Sequence, residues 1–319
     1  MIPESTSLQP NRFGTRTAAT GKSSTQTAAP GRYSRPAAAR AVLLCLLCLG
    51  MASPAGAQAV VNVTPSLKAR RTGTASQAAQ AQGSAWQRAV ARAITGIHAG
   101  GPGGYSTEDA AHEALHASFQ WSETQQRPLA NPAGMRPSFC SGAVYGALLQ
   151  ALMYWDAAHR HPVISKKAWQ ALFPAPCKDG VTPWGYANAN GAGFALLIHR
   201  LGAGYSFTDY TKACPGDVLK IWWTPVIGGR ERGHLVIFVR DLGESIRVWS
   251  SHRARNGKPA GFGMRDIPKA VIARALFTRI NNPAAFNRAP ALPDDEWLTR
   301  QLTEGVSWEE CVHRCGILP

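Results

Sequence analysis

The chain reads as an α+β domain behind an export leader. Two observations carry that reading. Helix-period apolar patterns with capping residues fill the stretch from about residue 106 to residue 201. Short apolar runs separated by Gly, Pro and Asp turns follow from residue 214 onward, which is the pattern of antiparallel strands. Helices first and strands later indicate an α+β arrangement in which helices pack on one antiparallel sheet.

The first 57 residues are set apart from this domain. They carry Arg12, Arg16, Lys22, Arg32, Arg35 and Arg40 against the single acid Glu4, and then the apolar run Ala41–Leu49. Ala55-Gly56-Ala57 supplies the small residues of a cleavage site. That order is the layout of a secretory signal peptide. The apolar run is too short to cross a bilayer, so no integral membrane span is expected after cleavage. Residues 58–85 are rich in Ala, Gln, Ser, Thr and Gly and read as a disordered linker. Residues 86–288 are expected to form the folded domain, about 200 residues and enough for a sizeable core. Residues 289–319 read as a tail ending in a short helix.

Ser106-Thr107-Glu108-Asp109 opens a helical pattern that runs through His116. A loop rich in Pro, Asn and Gly follows from Gln125 to Pro137. Ser138 is placed to cap a helix from about Phe139 to Ala158, with Val144, Leu148, Leu152 and Trp155 on one face. Ser165 caps a short helix ending near Phe173. The stretch Trp184–Gly191 reads as a turn before a helix Phe194–Leu201, which Gly202 ends. Cys214-Pro215-Gly216-Asp217 is a turn before a strand Val218–Trp223. A polar hairpin, Gly228–Gly233, returns to a strand His234–Arg240, and Arg247–Ser250 forms the next.

The full chain has a formal net charge of +15, which falls to +10 once the leader's six cations and one acid are removed. A basic exported protein meets anionic cell-wall polymer first. No tight Lys/Arg cluster is interleaved with aromatics, so nucleic acid is not an expected partner. Of seven cysteines, two lie in the leader. An oxidising compartment favours pairing among Cys140, Cys177, Cys214, Cys311 and Cys315, and five leaves one over. Cys311 and Cys315 stand one helical turn apart, and Cys177 with Cys214 would make the second bridge. Cys140 is then the free thiol, although the count alone does not fix the pairing.

Cys140 starts an apolar helix. Unpaired N–H groups at a helix start favour a thiolate and can hold an oxyanion. A buried structural thiol is the plain alternative. His234 heads a strand, where a neutral imidazole can take the thiol's proton and return it to a leaving amine. A third group must fix the imidazole. His252, at the end of the next strand, is the expected one, with Ser250 and Ser251 as substitutes.

The ordered set Ser138-Phe139-Cys140-Ser141-Gly142, Pro215-Gly216-Asp217-Val218 and Gly233-His234-Leu235-Val236-Ile237-Phe238 resembles the NlpC family of cell-wall cysteine peptidases, and the related CHAP amidases. The resemblance covers about residues 135–265. It implies a papain-like fold, a nucleophile at Cys140, a base at His234 and a third member at His252. It also implies amide hydrolysis in peptidoglycan without a cofactor, by a protein that is periplasmic or secreted and is expected to be a monomer. The segment from Trp169 to Asp209 is an insertion relative to compact members. Its Trp184, Asn188 and Asn190 are candidate substrate contacts, with packing and turn formation as the alternative.

A competing motif is His112-Glu113-Ala114-Leu115-His116, which matches H-E-x-x-H and would place two zinc ligands on one helix face with Glu113 as base. A zinc site needs a third ligand. Phe119 stands where the extended motif has Gly, and no Glu occurs between Glu123 and Glu231. Zinc peptidase activity and non-catalytic wall binding are the alternatives to the cysteine reading.

Overall fold

The computed structural model describes residues 83–317. The expected signal peptide and nearly all of the expected linker lie outside them. Ser84 opens the first helix, α1 (Ala85–Ala99), through a capping box. Its Oγ accepts from Gln87 N at 3.1 Å, and Gln87 Oε1 accepts from Ser84 N at 2.7 Å. Trp86, Ala89, Val90, Ala93, Ile94 and Ile97 recur at helical spacing and are buried. This helix is not among the expected elements, although its Ser-x-x-Gln start is a capping-box signature. A short helix α2 (Asp109–Ala117) follows, and then a hairpin of β1 (Phe119–Ser122) with β2 (Arg127–Ala130). That hairpin occupies part of the expected loop.

The central helix α3 (Cys140–Asp156) is apolar all round and buried almost throughout. A helix of that kind belongs inside a core. It packs on α1 and on the sheet. Asp156 stops it by accepting N–H bonds from Val163 at 2.6 Å and Ile164 at 3.1 Å. Ser165 caps α4 (Lys166–Leu172), as expected. The stretch read as a turn is a helix, α5 (Thr182–Asn188), with Pro183 in its first turn, where proline's missing N–H costs nothing. A turn then leads to α6 (Gly193–Leu201), which Gly202 ends in the left-handed region at φ 62°.

The six-stranded sheet contains β3 (Gly204–Phe207), β4 (Val218–Trp222), β6 (Gly233–Asp241), β7 (Ser245–His252), β8 (Gly261–Pro268) and β9 (Arg274–Ile280). The two-residue strand β5 (Ile227–Gly228) lies outside it. The order is β3-β9-β4-β6-β7-β8, and every neighbouring pair is antiparallel. Val218 pairs with Ile237, Ile237 with Trp249, and Trp249 with Met264. Alternation gives the sheet two apolar faces. Val218, Leu235, Ile237 and Trp249 join the core shared with the helices. Leu219, Ile221, Val236, Phe238 and Phe277 form a second core. Strands buried on both sides read as near-continuous apolar runs, which is why β6, and β4 despite Lys220, were legible. The Pro-Gly-Asp turn before β4 is fixed by Asp217, which accepts from Cys214 N at 2.7 Å and takes a bidentate pair from Arg279 at 2.9 and 2.7 Å.

Two expectations need correction. The tail is not separate, since Ala289, Trp297, Leu298 and Cys311 belong to the main core. It contains α7 (Glu296–Arg300), β10 (Gly305–Val306) and α8 (Trp308–Arg314), and β10 pairs with β5. Nor do the described residues form a disulfide framework. Cys177, Cys214, Cys311 and Cys315 are all free thiols, as is Cys140. Side chains one helical turn apart keep their Cβ atoms about 5–6 Å from each other, beyond the roughly 3.8 Å a bridge wants. Cys311 and Cys315 therefore sit buried and unbridged. Cys177 lies against Thr182, while Cys214 sits in the turn with Asp217.

Candidate active site

Cys140 is the first residue of α3. Its N-cap is Phe139, in extended conformation, and no side chain caps the helix. The expected cap, Ser138, does not serve, and its buried Oγ has no partner. Ser138 is held through its backbone instead: its carbonyl accepts from Ser106 N and from Ser251 Oγ, each at 3.0 Å. The uncapped first turn leaves its backbone N–H groups available beside the thiol. Cys140 is half-buried and lines a cleft of about 180 Å3 with Ser141, Asn188, Lys220, Glu231 and His234.

His234 is the second residue of β6, and His252 is the last of β7. Continuing the pairing of Ile237 with Trp249 brings the two histidines level across the strands. His234 Nε2 lies 3.0 Å from His252 Nδ1, and His252 Nε2 lies 3.1 Å from Gly263 O. The carbonyl can only accept, so His252 Nε2 carries a proton and donates it there. His252 Nδ1 is then an acceptor, and His234 Nε2–H donates to it. This leaves His234 Nδ1 with a free lone pair. Burial lowers the pKa of His234 to about 3, helped by His252 and Lys220. Burial, then Arg265, lowers that of His252 to about 4, although the bond to Gly263 opposes the shift. Both rings are neutral at pH 7. Alternation along β6 places His234 on the side of Val236 and Phe238, and it meets the cleft at the strand's start, where Gly233 and Leu235 also line it. No hydrogen bond joins Cys140 to His234, and unliganded thiol–imidazole pairs are often held loosely.

The substitutes for His252 are used otherwise. Ser250 Oγ donates to Leu235 O at 2.8 Å, and Ser251 Oγ donates to Ser138 O. Of the three residues read as substrate contacts, Asn188 and Asn190 line the cleft. Asn188 Oδ1 accepts from Ser141 Oγ at 2.8 Å, which leaves its amide N–H groups to face a ligand. Asn190 is bonded to Gln301 O at 3.3 Å. Trp184 is not among the cleft's residues. It is buried against Phe139, Tyr145, His112 and His116, the packing role given as its alternative.

The zinc motif is differently placed. His112 and His116 lie on one face of α2 with ring centroids 6.4 Å apart, and His112 stacks on Phe139 at 4.4 Å. Glu113 is exposed. Among the described residues, no group of three or more His, Cys, Asp or Glu is arranged to hold a metal ion.

Two features escaped the sequence. Tyr105 pairs with Ser138 in a parallel bridge, which brings its phenol near Cys140. Burial raises the pKa of Tyr105, and a negative charge on Cys140 adds to that rise. Glu231, on the cleft wall, accepts from Lys220 at 2.6 Å and from Trp222 Nε1, Gly228 N and Gly191 N, each at 2.9 Å. Burial would raise its pKa, but Lys220 and these donors outweigh burial and lower it. The acid two residues before Gly233-His234 was the available signal for this bracket. No family model, curated protein or solved structure matches the chain.

Proposed function

We propose that the chain is an exported cysteine hydrolase that cleaves amide bonds of peptidoglycan, in a papain-like arrangement of the NlpC kind. The observation that carries this reading is the relay from His234, which lines the same cleft as Cys140, through His252 to Gly263 O behind it. A nucleophile helix packed on an antiparallel sheet supports the fold assignment. The leader-like first 57 residues and the basic charge support export and an anionic polymer as partner.

In this mechanism His234 Nδ1 takes the Cys140 proton as the sulfur attacks the amide carbon. The C=O electrons move onto oxygen, where the uncapped first turn of α3 can donate to them. An imidazolium is costly in so buried a place, and the negative charge developing on the substrate oxygen offsets part of that cost. The proton then passes to the leaving amine, the C–N bond breaks and a thioester remains. Water, deprotonated by the same imidazole, hydrolyses the thioester.

The test is mass spectrometry of muropeptides after digestion with wild type and with Cys140→Ala. New products from wild type alone, with iodoacetamide labelling at Cys140, are expected. Identical products from both proteins would end the reading.

A further inference from the structure

The two edges of the sheet differ in charge balance. β6 starts at Gly233 and β7 ends at His252, so the loop before one and the loop after the other leave the same edge. The first loop carries Arg230 and Arg232, and the second carries Arg253, Arg255 and Lys258; all five are exposed. None of the five joins a direct ion pair among the described residues, although Asp266 still feels the charge of Lys258, so Arg230, Arg232, Arg253 and Arg255 are the cations left without an acid. The single acid on these loops is Glu231, whose two oxygens are filled by Lys220 and three N–H donors. At the opposite edge, Asp241, Glu244 and Asp266 accompany Arg240, Arg247 and Lys269. There Arg247 meets Asp266 at 2.7 Å and Lys269 meets Asp241 at 2.8 Å.

Two of these cations, Arg232 and Arg253, adjoin residues of the site. Glu231 and Gly233, which flank Arg232, line the cleft. The Arg253 guanidinium stands 5.3 Å from the centre of the Tyr105 ring, beside Cys140. Like charges brought together with too few counterions repel, and a bound polyanion relieves that repulsion. We propose that this cationic collar selects substrates that carry free carboxylates next to the scissile amide. The proposal rests on the hydrolase reading and gives it a substrate class. Nucleic acid is the competing polyanion. Binding a single strand would call for aromatic platforms along the cationic track. The large exposed apolar side chain on these loops is Val226, while the aromatics beside the cations, Trp223 and Tyr105, are only half-exposed and already engaged, Trp223 by His234 and Tyr105 by Arg253.

The experiment compares matched stem peptides whose carboxylates are either free or amidated, using the full chain. Wild type should favour the free form in kcat/KM by about ten-fold at low salt, with the preference shrinking above about 0.15 M salt. The variant R230Q/R232Q/R255Q/K258Q should bring the ratio close to one, whereas Arg240→Gln at the other edge should leave it as in wild type. Equal rates on both peptides in wild type, or a preference that survives in the fourfold variant, would overturn the collar. Binding of the two peptides to Cys140→Ala tests the collar without catalysis. Tighter binding of the free form, lost in the fourfold variant, supports the collar even if Cys140 proves inert and the hydrolase reading fails. Tighter binding of a single-stranded oligonucleotide than of the free-carboxylate peptide would replace it.

Discussion

The molecule holds two pairs of neighbouring histidines that are opposites in kind. His112 and His116 are four residues apart on α2 and match a known ligand spacing, yet His116 Nε2 is buried without a partner. His234 and His252 are eighteen residues apart on separate strands, yet their rings bond at 3.0 Å and the chain ends on a fixed carbonyl. Burial is the leading cause of a lowered pKa in all four. The difference lies in the hydrogen bonds. Spacing brings two rings to one helix face, but only partners of defined polarity decide which nitrogen holds a proton.

The sharpest way to break this comparison is to remove one ring from each pair. His234→Ala is expected to lower kcat/KM by about 10^3-fold, within the range for losing a general base. His112→Ala should change it less than about three-fold. Muropeptide release measures both, and equal losses would make α2 part of the machinery. Removing the relay is the next step. His252→Ala should lower kcat by about 10^2-fold, since His234 keeps its lone pair but loses its tautomer lock. His252→Asn, whose Oδ1 can still accept from His234 Nε2, should recover part of that loss.

The pairs also predict a pH effect on stability. The folded pKa values of His234 and His252, about 3 and about 4, lie below the usual value of 6.5. The unfolded chain therefore binds more protons below about pH 6.5. Stability should be fully present above that pH and decline as pH falls towards 3–4. Melting temperatures measured from pH 7 to pH 4 would show the slope, and His234→Gln should flatten it. A slope unchanged by that substitution would shift the effect to His112 and His116. The smallest expected effect is that of a chelator, which should alter the rate less than about two-fold. Tight zinc binding that disappears in His116→Ala would restore the zinc reading.

Much of the framework was legible because burial wrote it locally. α3 is apolar but for Gln150 along most of its length, β4 and β6 are short apolar runs bounded by Gly and Asp turns, and β7 shows Ile246, Val248 and Trp249 after such a turn. Cys140 and His234 could be paired because each marks the start of such an element. What escaped depends on distant partners. Tyr105 reaches Cys140 only through a bridge to Ser138, and no residue near Tyr105 announces that pairing. The bracket around Glu231 joins Gly191, Lys220, Trp222 and Gly228 from three separate segments. Parity of cysteines carries no geometry, so it could not show that the five described cysteines stand as free thiols. Trp184 sat among polar turn-like neighbours, and only the packing of Phe139 and Tyr145 around it shows why it is buried.

The wall of the cleft is braced from the far end of the chain. Gln301 O accepts from Gly229 N at 2.7 Å and from Asn190 Nδ2, and β10 ties Gly305 and Val306 to Gly228 and Ile227. The loop that presents Glu231 and Arg232 is therefore held by residues more than sixty positions later. A polypeptide that emerges amino end first can form α3 and most of the sheet early, but it finishes its cleft only when residues 301–306 arrive. Order of synthesis thus sets a delay between folding the scaffold and completing the site.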